Sequence, residues 1–139
     1  MDLENVKHFE SLANATQAEV DWMFENGVIV ELAVGDVFHK QGTMPEYFYV
    51  VLEGELQIAR TADNKTVVLG TTPVGIIGGE LSLLMQTESW VDATAIVPSR
   101  LLTLTPDKFR EMFAMCPNIS ANVFREAGQR TRNLAQFSQ

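Results

Sequence analysis

A chain of 139 residues, 46% hydrophobic and 20% charged, has the size and composition of one soluble globular domain with its own core. Its net charge of −8 is uneven: residues 1–99 carry four basic and fifteen acidic side chains, residues 100–139 six and three. An acidic body repels nucleic-acid phosphates, and from a polar start, "MDLENVKHFE", with no apolar run near the roughly 18 residues of a span, neither a secretion signal nor a membrane anchor is expected.

Residues 1–27 are expected to hold N-terminal helices. In "TQAEVDWMFENG", Thr16 and Glu19 form a capping box, Val20, Met23 and Phe24 make one apolar face, and Gly27 is the stop. From residue 28 to 105 the period changes to two. "VIVELAVGDVFHKQG" alternates about a turn at Gly35-Asp36. "YFYVVLEGELQIAR" reads as two strands joined at Glu53-Gly54, and Asp63-Asn64-Lys65 makes the next turn. "DATAIVPSRLLTLT" adds two short strands either side of Pro98-Ser99. Many short strands with close turns predict a mostly β domain, an antiparallel β-roll or jelly roll flanked by helices.

Residues 106–139 return to helix. Thr105 caps "TPDKFREMF" with Pro106 at its first position, and Phe109, Met112 and Phe113 form the buried edge. A second helix restarts at Pro117 and meets no stop signal. Its apolar positions, Phe124, Ala127, Leu134 and Phe137 among them, make a thin stripe, loosened at Gly128 by about 1 kcal/mol relative to alanine. Such a helix reads as one that continues into an effector or pairs with a second copy.

The chemistry concentrates in "GGELSLLMQTESWVDATA", residues 78–95, where two glycines lead into a short helix carrying Glu80. No lysine or arginine follows before Arg100. Elsewhere the means for catalysis are sparse. Two histidines, His8 and His39, do not make the clustered ligand set of a jelly-roll metal enzyme, so no metal is expected. Cys116 stands alone, which excludes an internal disulfide and an iron–sulfur cluster, and with no secretion signal the expected compartment is the cytoplasm. Ser82 and Ser89 have no histidine near them in sequence, so no catalytic residues are assigned.

The order and spacing of helix, "GDVFHKQG" turn, "FYVVLEGELQI", glycine-glycine-glutamate cassette and two trailing helices resemble the cyclic nucleotide-binding domain over residues 5–137. That is the sensor domain of catabolite-activator-type regulators, cyclic-nucleotide-dependent kinases and channels. In that family, backbone amides and one arginine hold the cyclic phosphate, and a glutamate takes a ribose hydroxyl. Carried over, the resemblance implies a ligand site at Gly78, Gly79, Glu80, Leu81, Ser82, Ser89, Trp90, Val91, Ala93 and Thr94. Glu80 is the ribose ligand by this likeness; by its own chemistry it would instead cap amides of the short helix. Trp90 is open between a core aromatic and a platform over the cavity.

Where the family has its phosphate arginine, this chain reads "TESWVD", with Glu88 and Asp92 nearby. Losing that cation weakens a bound cyclic phosphate about ten- to a thousandfold, from roughly 1.5–5 kcal/mol of charge-assisted bonding. Cyclic AMP and cyclic GMP are therefore expected to bind weakly or not at all unless a distant cation, Arg60 or Arg100, reaches the cassette. The function implied is a non-catalytic regulatory sensor with a small-molecule effector, signalling through its C-terminal helix about a hinge at Cys116-Pro117. The ending "QRTRNLAQFSQ" is similar to the linker that leads to the phosphoacceptor helices in some bacterial histidine kinases. A ligand-independent homodimerisation module is the second reading, and a jelly-roll metal enzyme the third.

Overall fold

The computed structural model describes the backbone of residues 3–137 and the side chains of residues 3–133. Helix α1 (Leu3–Val6), a 3-10 turn (Glu10–Leu12) and α2 (Gln17–Asn26) lead into the strands. The capping box closes at the start of α2: the Glu19 amide donates to Thr16 Oγ1 at 3.1 Å and the Thr16 amide to Glu19 Oε1 at 3.0 Å. Gly27 ends the helix for want of space. A Cβ there would lie 2.6 Å from Leu102 Cδ1 and 2.9 Å from the Thr103 carbonyl oxygen.

Strands β1 (Val28–Leu32), β2 (Val37–His39), β3 (Phe48–Glu53), β4 (Glu55–Ala62), β5 (Lys65–Pro73), β6 (Ile77–Gly78), β7 (Asp92–Ala95) and β8 (Ser99–Leu104) form the roll, with helix α3 (Glu80–Met85) between β6 and β7. They make two four-stranded sheets, ordered β1-β8-β3-β6 and β2-β7-β4-β5, with antiparallel pairing throughout. Alternation in β3 divides the interior. Phe48, Val50 and Leu52 face a core shared with the helices, whereas Tyr49 and Val51 join Leu56, Ala93, Ala95 and Leu101 between the sheets. The mostly β roll with flanking helices is thus as the alternation predicts. The two-residue strand β6 pairs Ile77 with Val50 and Gly78 with Tyr49; it is too short to show a period.

Helices α4 (Pro106–Met115) and α5 (Pro117–Phe137) close one side. Thr105 caps α4 by accepting from the Lys108 amide at 3.3 Å, and Phe109 and Met112 are buried. The stripe that α5 buries is Ile119, Val123 and Ala127. Phe124, which the sequence places on a thin stripe left for a partner or a continuation, points outward at 58% exposure against the Phe113 ring, whereas Ala127 of the same stripe is buried. The helix phase is set from its first turn, and Phe124 lies one residue, about 100°, off the i, i+4, i+8 row that begins at Ile119. The Leu134 and Phe137 side chains lie outside those described.

The first turn of α5 is held by α2. Glu19, 3% exposed, accepts from the Asn118 amide at 2.9 Å, the Ile119 amide at 3.1 Å and Asn118 Nδ2 at 2.8 Å. Burial works to raise its pKa, but the bonds from Asn118, Thr16 and Ile119 together outweigh it and hold the carboxylate below its ordinary value. Cys116, at the α4–α5 junction, is fully buried. Burial, and then the Glu19 charge, push its thiol up to about 12. A thiol held protonated in this way packs rather than reacts.

Candidate functional site

A cavity of about 330 Å³ opens between the second sheet, α3 and α5. Of the residues singled out in sequence, Gly78, Gly79, Glu80, Leu81, Ser82, Ser89, Trp90, Val91 and Ala93 line it; Thr94, paired in β7 with Gln57 and Val37, does not. The two glycines serve close packing. A Cβ at Gly78 would fall 2.1 Å from Tyr49 Cζ. Gly79 takes φ +83°, and a Cβ there would meet the Tyr47 carbonyl oxygen at 2.6 Å.

Glu80 is 1% exposed, and it does not cap the amides of α3, as its position in sequence had suggested. Its Oε1 accepts from Arg130 Nη1 at 2.5 Å, and its Oε2 has no partner. Arg130 comes from α5 and also donates through Nη2 to the Ile77 carbonyl at 2.7 Å. The cassette therefore does hold a cation, from the far end of the chain. Sequence reasoning named Arg60 and Arg100 instead, and neither reaches. Arg60 stacks 4.1 Å above the Trp90 ring, donates to the Trp90 carbonyl at 2.7 Å and lines a neighbouring cavity. Arg100 sits on β8 beside Glu53, at 3.3 Å, and Glu31, at 3.8 Å. The signal for Arg130 was its phase. It falls three residues past Ala127 and seven past Val123, on the buried face of α5.

Glu88 and Asp92, which stand beside the cassette in sequence, do not line the cavity. Glu88 is exposed and lines only the neighbouring cavity, while Asp92 Oδ1 accepts from the Gln41 amide at 2.7 Å. Among the lining side chains described, Glu80 is the one carboxyl group and Arg130 the one guanidinium, and they bond each other. His39 also lines the cavity; burial lowers its pKa, against the Tyr47 hydrogen bond and the Glu46 charge, so it is neutral near pH 7. The Tyr49 hydroxyl is pushed up to about 12, mainly by burial.

No nucleophile–base pair forms from the lining serines and histidine. Ser89 Oγ donates to the Val91 carbonyl at 2.7 Å, and His39 Nε2 bonds the Tyr47 carbonyl at 3.0 Å. Among the described residues no cluster of three or more His, Cys, Asp or Glu side chains is set to hold a metal ion, and no helix is long and apolar enough to cross a membrane.

A second link ties α5 to the cavity floor. Glu126 Oε1 accepts from Ser11 Oγ at 2.7 Å, and Ser11 Oγ accepts from the Ile77 amide at 3.0 Å. Both backbone groups of Ile77 thus lead to α5, the carbonyl through Arg130 and the amide through Ser11 and Glu126. Burial raises the Glu126 pKa, opposed by the Ser11 bond and the Arg130 charge.

A two-sheet roll whose C-terminal helix is bonded into a glycine-floored cavity is the build of a regulatory sensor fold. Residues 29–116, more than half of the chain, match the model of the cyclic nucleotide-binding domain, and the chain belongs to that family. Among curated proteins, it is 26% identical over 132 residues to lysophospholipase nte1 of Aspergillus oryzae, covering 94% of this chain but 8% of that protein. The chain thus spans under a tenth of the curated relatives it matches. Among solved structures, the Thermus thermophilus catabolite activator protein shares the fold with a TM-score of 0.82 and 22% identity, over 91% of this chain and 60% of that one. A regulatory subunit of a cAMP-independent protein kinase A from Trypanosoma cruzi, bound to guanosine, does so with a TM-score of 0.78 and 17% identity, over 98% of this chain and 48% of that one.

Proposed function

We propose that the chain is a non-catalytic regulatory domain that binds cyclic AMP and cyclic GMP weakly or not at all and signals through α5. One observation carries the reading: Arg130, the cation of the cavity, is already bonded to Glu80 and to the Ile77 carbonyl. An incoming phosphate would find that guanidinium neutralised and a carboxylate beside it, with no second lysine or arginine among the lining side chains described. The same bonds join cavity to helix, so a ligand that disturbs Glu80 acts on α5 directly. The Trypanosoma cruzi neighbour, described as cAMP-independent and bound to guanosine, supports a use of this fold without a cyclic phosphate.

Calorimetry with each cyclic nucleotide tests this: the expected dissociation constant is no tighter than about 1 mM, near −4 kcal/mol. A micromolar constant for either overturns the reading.

The output is proposed to run through a homodimer formed along α5 and onward to an effector module. A histidine kinase is one candidate by the form of the final segment, and a larger lipid hydrolase is another by the curated relatives. Light scattering behind gel filtration is expected to give twice the monomer mass, and a persistent monomer at high concentration removes the dimer from the scheme.

A further inference from the structure

We propose that the neighbouring cavity, the one that Arg60 lines, is a binding site for a free amino acid with an apolar side chain. Arg60 takes its carboxylate and Glu88 its ammonium group. The inference is independent of what the first cavity binds. This second cavity has a volume of about 610 Å³, within the range of small-molecule sites, and shares Leu81, Ser82, Ser89 and Trp90 with the first. Bonding across the fold fixes its rim. The Gly42 amide donates to the Ser89 carbonyl at 2.8 Å and the Ser89 amide to the Thr43 carbonyl at 2.7 Å. The Gln41 side chain holds both backbone groups of Thr61, each at 2.8 Å.

Arg60 sets the first requirement. It is half-buried, and among the described residues no carboxylate pairs with it. Its guanidinium is fixed twice, by Nη1 donating to the Trp90 carbonyl at 2.7 Å and by the Trp90 ring 4.1 Å away. Nε and Nη2 bond no described residue, yet neither is a buried unsatisfied atom, so this edge of the guanidinium is open to solvent. Two parallel N–H groups on one edge match the two oxygens of a carboxylate. Because neutral groups already hold the cation in place, an arriving anion has little left to order.

Glu88 sets the second requirement. It lines the same cavity, is exposed, and makes no hydrogen bond or ion pair with a described residue. One unpaired cation and one unpaired anion on the same walls disfavour a multiply charged anion and suit a zwitterion. The rest of the wall is apolar at Leu81, Met85 and Trp90, and Met85 stands 60% exposed. An apolar side chain laid over it removes that surface from water. A carboxylate, an ammonium group and an apolar side chain on one small molecule describe an apolar amino acid.

The test is calorimetry on the full chain with leucine, methionine and phenylalanine, their amides, their N-acetyl forms, and inorganic phosphate. At least one of the three amino acids is expected to bind with a dissociation constant below about 1 mM. Its amide, which lacks the carboxylate, is expected to bind roughly ten- to a hundredfold more weakly. Its N-acetyl form loses a charge that faces an exposed partner, and is expected to bind about two- to fivefold more weakly. Arg60→Lys, checked for an unchanged melting temperature, keeps the charge without the fork and is expected to weaken binding about tenfold. Glu88→Gln removes no bond of the fold, and is expected to erase the difference between the amino acid and its N-acetyl form. Absence of binding by all three amino acids at millimolar concentration overturns the inference. An amide that binds as well as its acid overturns the role given to Arg60, and an N-acetyl form that binds as well overturns the role given to Glu88 and the zwitterion with it. Phosphate that binds as tightly as the amino acid marks an unselective anion site and overturns the choice of ligand.

Discussion

Glu19→Ala is expected to lower the stability of the domain by about 3–5 kcal/mol, or roughly 10–20 °C in melting temperature for a chain of this size. The carboxylate accepts four hydrogen bonds, from the Thr16, Asn118 and Ile119 amides and from the Asn118 side chain. Two of these amides open α5 behind Pro117, where the helix has no acidic residue of its own in the first turn. Truncation strands these donors in a buried place and separates α5 from α2. Urea and thermal unfolding measure the loss, and a change below about 1 kcal/mol would show that water replaces the carboxylate.

The same residue sets a pH dependence. The folded pKa of Glu19 lies below its ordinary value of 4.5, so its contribution is complete above that value and is lost as pH falls through the depressed one. Glu126 has the opposite sign. Its folded pKa is raised, so the native state holds an extra proton between 4.5 and the raised value, and the stability due to this group falls as pH climbs through that window. Glu126→Gln is therefore expected to flatten the stability profile just above pH 4.5, and Glu19→Gln to flatten it below.

Val91→Arg is expected to raise cyclic-nucleotide affinity about ten- to a hundredfold, by supplying the charge-assisted bonds the cassette lacks. Val91 lines the cavity and is half-buried, and its contribution to the local bonding is its backbone carbonyl, which accepts from Ser89 Oγ and survives a change of side chain. Ser89 is a poorer place for the same repair because substitution removes that hydroxyl. Glu88→Arg is the control, since Glu88 opens onto the neighbouring cavity and should gain far less. A folded Val91→Arg chain with unchanged affinity would show that the absent charge is not what keeps cyclic phosphates out.

How much was legible follows the distance over which each interaction acts. The capping box at Thr16 and Glu19 spans three residues, and the alternation of β3 is strictly local, so both stand in the sequence. The second task of Glu19 joins it to Asn118 and Ile119 across the fold, and nothing in "TQAEVDWMFENG" shows it. The cassette was readable as a segment, because glycines and Glu80 sit together. Its cation was not, because Arg130 arrives by packing of α5 against the roll, a contact across 50 residues. Glu88 and Asp92 show the converse error: closeness along the chain to the cassette did not put them in the cavity.

Ile77 carries a consequence for mechanics. With its carbonyl tied to Arg130 and its amide tied through Ser11 to Glu126, one residue in a strand of two is gripped on both sides by a single rod. Tilt of that rod and depth of the hollow beneath it then behave as one coordinate. On the proposed reading, a molecule that fills the hollow is expected to act on the rod without any intervening lever.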